Sequence, residues 1–220
     1  MVAKKIAGFV PSWKNYSGAV RAYYEGISGM QEGIIEIHLD NRFMPGYFWI
    51  FPLNQHEANV GFGMLSSDVR KKKIDLKIAL DEIITQSPTL SRRFLNAKRS
   101  GEIRGFGLPL GGRNLPVSGE RFMLCGDAAS LIDPLNGEGI GNAMWSGWLA
   151  AKQVQTCFEN NRFDQSFMKQ YDAMLNKKFL PELRKKRMLQ RLFKHPKTID
   201  LIVKLGTQSP GFRRWMSGQL

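Results

Sequence analysis

The chain has 220 residues, 43% of them hydrophobic, which is enough for an ordinary core and too many for a disordered polymer. No run approaches the roughly 18 apolar residues of a membrane-spanning helix, and MVAKKIAGFVPSWKN at the start lacks the apolar stretch of a secretory signal. The net charge of +13 is uneven, with 15 Lys and Arg against 5 Asp and Glu over residues 152–220, and this asymmetry predicts an anionic surface as partner.

In chain order, four aromatic and β-branched runs come first: VRAYYEGI (20–27), GIIEIHL (33–39), GYFWIFPL (46–53) and ANVGFGML (58–65). Turn-forming stretches separate them, so they predict an antiparallel sheet with one buried face. DLKIALDEIITQ (75–86) then places Leu76, Ile78, Ala79, Ile83 and Ile84 at helical spacing. Ser87-Pro88 reads as a cap followed by proline at the first position of a short helix reaching Phe94. GEIRGFGLPLGG is extended, and RFMLCG (121–126) reads as a short buried strand. A helix rich in small residues follows from Ile140 to about Phe158, then a basic helical stretch in which Pro181 predicts a break or kink. TIDLIVKLG predicts a last short helix stopped by Gly206.

The segment GDAASLIDPLNGEGIGNAMWSG (126–147) concentrates the chemistry. Gly126 removes a β-carbon where a strand ends, and Asp127 puts an acceptor carboxylate beside the gap, suited to sugar or polyol hydroxyls. Pro134 adds a rigid apolar face without a competing amide. Gly137, Glu138, Gly139 and Ile140 open a helix, where free N–H groups and the positive end of the dipole favour an anionic ligand. Glu138 suits either complementing that dipole or orienting the ligand. Cys125 reads as an inert packing thiol, and with Cys157 as the only other cysteine there is no disulfide framework and no metal-ligand spacing, so a reducing, intracellular setting is expected. His38, His56 and His195 have no partners at catalytic or metal spacing.

This segment resembles the flavin-contacting motif of the geranylgeranyl reductase family of FAD-dependent oxidoreductases. The resemblance implies that Asp127 binds the ribityl chain, that Pro134 lies near the flavin ring, and that Gly137, Glu138, Gly139 and Ile140 meet its pyrimidine edge; Gly126 belongs to the same motif. PGYFWIFPLNQHEANVGFGML is similar to the family's stretch on the substrate side of the flavin, which implies substrate contacts for Tyr47, Trp49, Phe51 and Pro52. GFGLPLGG (105–112) is similar to the strand ahead of the flavin motif. The implied reaction is reduction of C=C bonds in a prenyl chain, with NAD(P)H or another electron donor. No side chain stands out as a proton donor, so the catalytic residues are unknown. Two alternatives are an FAD-dependent monooxygenase of the hydroxylase or epoxidase type, and a truncated, non-catalytic chain that binds anionic membranes.

The expected fold is α+β. Residues 1–118 form a mixed or antiparallel substrate-side sheet domain with helices over 68–96, residues 119–158 the flavin-contacting part of an FAD-binding α/β domain, and residues 159–220 a basic helical tail. No G-x-G-x-x-G unit for the adenine half of FAD occurs. The expectation is therefore the C-terminal part of a longer protein, with a short protein pairing with a separate N-terminal chain as the runner-up. The location expected is cytoplasmic, with peripheral attachment to anionic lipid through the tail; nucleic acid is not expected, because no recognised motif accompanies the charge.

Overall fold

A computed structural model of the chain describes residues 2–8 and 12–192, together with positions 198, 204, 207–209, 211 and 214. Its contacts divide it into two compact units, Tyr16–Gly107 and a second made of Met1–Asn15 with Leu108–Leu220. His195 and most of the last short helix expected over 198–206 lie outside the described residues.

The unit Tyr16–Gly107 is built on a five-stranded sheet of order β2-β3-β4-β1-β5. The strands are β1 (Tyr16–Glu25), β2 (Glu36–His38), β3 (Tyr47–Pro52), β4 (Glu57–Leu65) and β5 (Lys98–Pro109), and β1–β4, β3–β4 and β2–β3 pair antiparallel. Strand alternation sends Phe48 and Ile50 of β3, Val60 and Phe62 of β4, and Val20 and Ala22 of β1 into one core. Helix α3 (Leu76–Gln86) contributes Ala79, Leu80, Ile83 and Ile84 to it. Each of the Val, Leu, Ile and Phe side chains contributes about 1.5–3 kcal/mol when fully buried. Asp75 starts α3 by accepting from the amides of Lys77 (2.8 Å) and Ile78 (3.2 Å). Helix α2 (Ser66–Lys72) precedes it, and α4 (Leu90–Arg93) follows.

Two local expectations shift. Pro88 lies in a turn and the short helix begins at Leu90, whose amide reaches Ser87 Oγ at 3.3 Å. The run 33–39 yields only three strand residues, since β2 is an edge strand with β3 as its one neighbour. Arg93 fixes it instead: its guanidinium donates to both Glu36 carboxylate oxygens (2.6 and 2.7 Å) and its Nε to Ser28 O (2.8 Å).

In the second unit, helix α1 (Val2–Ile6) buries Ala3 in a core with Val117, Leu124, Leu131, Tyr171 and Phe179. That core is why the N-terminal residues group with the C-terminal half, and why the division falls at residue 107 and not near 118. Strands β6 (Ser118–Gly119) and β7 (Phe122–Met123) form a two-residue hairpin ladder, so most of the strand expected over 121–126 is irregular. Helix α5 (Ile140–Glu159) packs on α6 (Gln165–Leu192), which runs 28 residues without ending at Pro181. Pro181 is on the exposed side, while Met168, Tyr171, Leu175, Phe179 and Leu183 keep one buried stripe through it. No helix among the described residues is long and apolar enough to cross a membrane.

Candidate functional site

The motif is assembled by hydrogen bonds inside the second unit. Residues Gly126–Ala129 form a 3-10 turn that Ser130 ends in the left-handed region, at φ 55°. Gly126 has φ +53°, and a β-carbon there would lie 2.9 Å from Ala143 Cβ of α5. Its amide donates to Ser146 Oγ at 3.0 Å, and that hydroxyl donates to Ala143 O. Asn142 Nδ2 donates to Leu131 O at 2.7 Å. The strand end is thus pinned to the first turns of α5 through side chains on the helix.

Asp127 and Gly139 are brought side by side. A β-carbon on Gly139 would sit 3.3 Å from Asp127 Oδ1 and 3.2 Å from Ile132 Cγ1, so a larger residue would crowd the carboxylate. Desolvation by the surrounding protein pushes the Asp127 carboxyl above the usual aspartate value, with no donor among the described residues to offset it.

The helix start is partly self-satisfied. The amides of Gly137 and Glu138 are engaged by Asp133 O and Asn136 Oδ1, and Glu138 Oε1 accepts from Gly141 N at 2.8 Å. Glu138 therefore complements the helix start, as one of its two readings anticipated. The amides of Gly139 and Ile140 have no hydrogen-bond acceptor among the described residues.

The loop between them hangs from α6. Asp133 is buried; its Oδ1 accepts from Leu135 N (2.8 Å) and its Oδ2 from Lys186 Nζ (2.6 Å). Pro134 is buried as well, and its carbonyl accepts from Gln190 Nε2. Tyr171 of α6 donates to Leu124 O at 2.8 Å and lies 3.5 Å from Cys125 Sγ; burial first, then the thiol, drives its phenol pKa up. Asp133, Tyr171 and Lys186 were not singled out from the sequence, because nothing local marks a partner some 50 residues away; Ser146, which anchors Gly126 across 20 positions, was missed for the same reason.

In the other unit, Tyr47, Trp49 and Phe51 share the half-buried face of β3. Tyr47–Trp49 and Trp49–Phe51 ring centroids are each 5.8 Å apart. Trp49 stands opposite Gly61 and Tyr47 opposite Gly63 in the ladder. A β-carbon on Gly61 would lie 2.1 Å from Trp49 Cζ2 and 2.5 Å from Val20 O, so the indole lies flat where a side chain is missing. Trp49 Nε1 donates to Asn59 Oδ1 at 3.0 Å, which satisfies its only polar atom. Pro52 falls on the opposite face, with Phe48 and Ile50. The G-x-G of β4 is the sequence signal for this platform. No metal-binding cluster occurs among the described residues.

Comparison with known proteins follows these lines. In fold, the chain matches a geranylgeranyl bacteriochlorophyll reductase-like protein of Thermoplasma acidophilum with a TM-score of 0.70 at 21% identity, over 98% of this chain and 58% of that one. A flavin-dependent brominase matches with a TM-score of 0.60 at 19% identity, over 88% of this chain and 50% of that one. These likenesses show a fold that a reductase-like protein and a flavin-dependent brominase share. Residues 16–101 match the geranylgeranyl reductase catalytic domain. The digeranylgeranylglycerophospholipid reductase of Thermoplasma volcanium is 30% identical over 176 residues, 76% of this chain and 43% of that protein. Menaquinone reductase of Mycobacterium tuberculosis is 40% identical over 120 residues, 53% of this chain and 28% of that protein. The chain belongs to the geranylgeranyl reductase family, and it spans less than half the length of these named relatives.

Proposed function

We propose that the protein carrying this chain is an FAD-dependent oxidoreductase that reduces carbon–carbon double bonds of a prenyl chain. The observation that carries the reading is the aromatic row Tyr47, Trp49 and Phe51 over Gly61 and Gly63, inside the region matching the catalytic domain. An isoprenoid offers area and no hydrogen-bonding handles, so it is best held by a broad face whose polar atoms are already satisfied. Asn59 does that for Trp49.

The motif residues fit a flavin. Asp127 offers an unengaged carboxylate to ribityl hydroxyls, Gly139 keeps the space beside it clear, and the amides of Gly139 and Ile140 are free to donate to an electron-rich ring edge. A bound flavin supplies hydride-transfer chemistry, with NAD(P)H or another reductant as the source of electrons. The basic stretch 152–220 supports cytoplasmic, peripheral attachment to anionic lipid; co-sedimentation with phosphatidylglycerol vesicles that persists at high salt would count against this attachment by charge.

The test is anaerobic turnover by the protein purified from its own source. With dithionite as reductant and a geranylgeranylated glycerophospholipid as substrate, the product should gain two hydrogens per double bond. Product that forms only when oxygen is admitted overturns the reductase reading in favour of a monooxygenase.

A further inference from the structure

The aromatic wall continues across the sheet to a cation. In the β1–β4 ladder Arg21 stands opposite Gly61 and Tyr23 opposite Asn59. The same β4 residues face Trp49 and Phe51 in the β3–β4 ladder. Strand alternation puts all these positions on one side of the sheet, away from the core that holds Val20, Ala22, Val60 and Phe62. Parallel rows therefore cross the strands, Trp49–Gly61–Arg21 and Phe51–Asn59–Tyr23. With adjacent strands about 4.8 Å apart, the backbone of Arg21 lies roughly 10 Å from that of Trp49. Gly61 puts no side chain between them.

Arg21 is half-buried, and its guanidinium lies 4.6 Å from the centre of the Tyr23 ring. Stacking fixes the plane of the fork and leaves its N–H edge uncommitted, because no acceptor engages it among the described residues. Arg42, Arg93 and Arg99 of the same unit each reach a carboxylate. On this side of β1 and β4 the carboxylates are Glu25 and Glu57, which stand opposite each other beyond Tyr23 and Asn59. An arginine that merely covers apolar surface turns its head to open water. This one lies over a ring, beside the wall.

A planar fork of this kind matches phosphate oxygens two at a time. A prenyl phosphate joins an anionic head to a chain without polar handles, and this side of the sheet joins an uncommitted fork to an aromatic row. We infer that Arg21 is a specificity-determining residue, holding the phosphate head of a prenyl substrate whose chain crosses Gly61 to lie along Tyr47, Trp49 and Phe51. The inference rests on the prenyl reading and deepens it: the substrate class is a prenyl chain with an anionic phosphate head, and neutral-headed prenyl compounds are poorer ligands.

Calorimetric binding to the flavin-loaded protein purified from its own source tests it, with geranylgeranyl monophosphate and geranylgeraniol, which share the chain and differ in the head. The parent should bind the phosphate about tenfold or more tighter than the alcohol, and added salt should shrink the difference. Arg21→Met should remove that preference while holding the alcohol at its parental affinity, which also shows the variant to be folded. Arg21→Lys should keep part of it, since an ammonium supplies the charge without the fork. Trp49→Ala should weaken both ligands by one factor and leave the preference intact. Equal affinities in the parent overturn the inference, and so does a preference that survives Arg21→Met. Loss of both ligands in Arg21→Met overturns it as well, because the arginine would then be a support of the sheet. Failure of the prenyl reading looks different: the parent binds neither ligand, or Trp49→Ala changes neither affinity, and the inference falls with it.

Discussion

In the unit Tyr16–Gly107 the glycines of β4 serve a neighbour within the same sheet: Gly61 is empty because Trp49 fills the space. In the second unit Gly126 closes on Ala143 of α5, but two other motif glycines leave space open. Gly139 keeps clear the flank of Asp127, and a β-carbon on Gly147 would meet nothing within 4 Å among the described residues. The first region is finished by short-range strand pairing, so its surface is already formed. The second is held from behind by Lys186, Gln190 and Tyr171 of α6, while the side bearing Asp127, Ile140 and Met144 stays exposed. One region builds a wall for an apolar guest; the other builds a rack whose outer side is left bare.

The comparison breaks most visibly at Gly61. Gly61→Val forces Trp49 and the Val20 carbonyl apart and should cost more than about 4 kcal/mol, read as loss of a cooperative urea transition or of the unit's near-ultraviolet signal. Next is the support of the motif loop. Lys186→Ala leaves Asp133 buried without its ion-pair partner and should cost about 3–4 kcal/mol in denaturant unfolding, whereas an equivalent change at the exposed Arg162–Asp164 pair should leave the transition almost unmoved. Tyr171→Phe strands Leu124 O and should cost about 1–2 kcal/mol by the same measurement.

The smallest effect sharpens the contrast by pH. Desolvation raises the Asp127 pKa, so its contribution to stability is fully present below the ordinary value of 3.8 and is lost as pH rises through the folded-state value. Asp127→Asn should therefore raise the melting temperature slightly at neutral pH, and the gain should fade on acidification. The same substitution should weaken flavin retention in the flavin-loaded protein, read by fluorescence of released flavin. A variant that lost stability at neutral pH would show the carboxylate to be a structural partner.

What could be read in the sequence follows the same divide. The strands of the first unit and α3 were legible because alternation and helical spacing are local signals, and Asp75 capped its helix as side-chain chemistry dictates. The edge strand β2 was overestimated because Ile34, Ile35 and Leu39 have strand propensity but no partner strand on their outer side. In the motif, the neighbourhood of Asp127 and Gly139 was legible from residue types. The anchoring through Asp133, Lys186 and Tyr171 was not, because contacts across 47 to 53 positions leave no periodic mark. Pro181 misled for a related reason: a proline's local veto yields where a buried stripe on both sides of it holds the helix together.

Arg93 carries a consequence for the aromatic wall. Strand β2 flanks that wall through Ile37, opposite Trp49, yet it has only three paired residues and one adjoining strand. Besides the ladder to β3, a two-pronged grip on Glu36 ties it to the rest of the unit, and Arg93 keeps that carboxyl below the ordinary carboxylate range. The outer border of the wall is therefore clamped across the sheet edge by one arginine as well as zipped to β3, and losing that clamp would leave this margin with its short ladder and the His38–Phe48 ring contact.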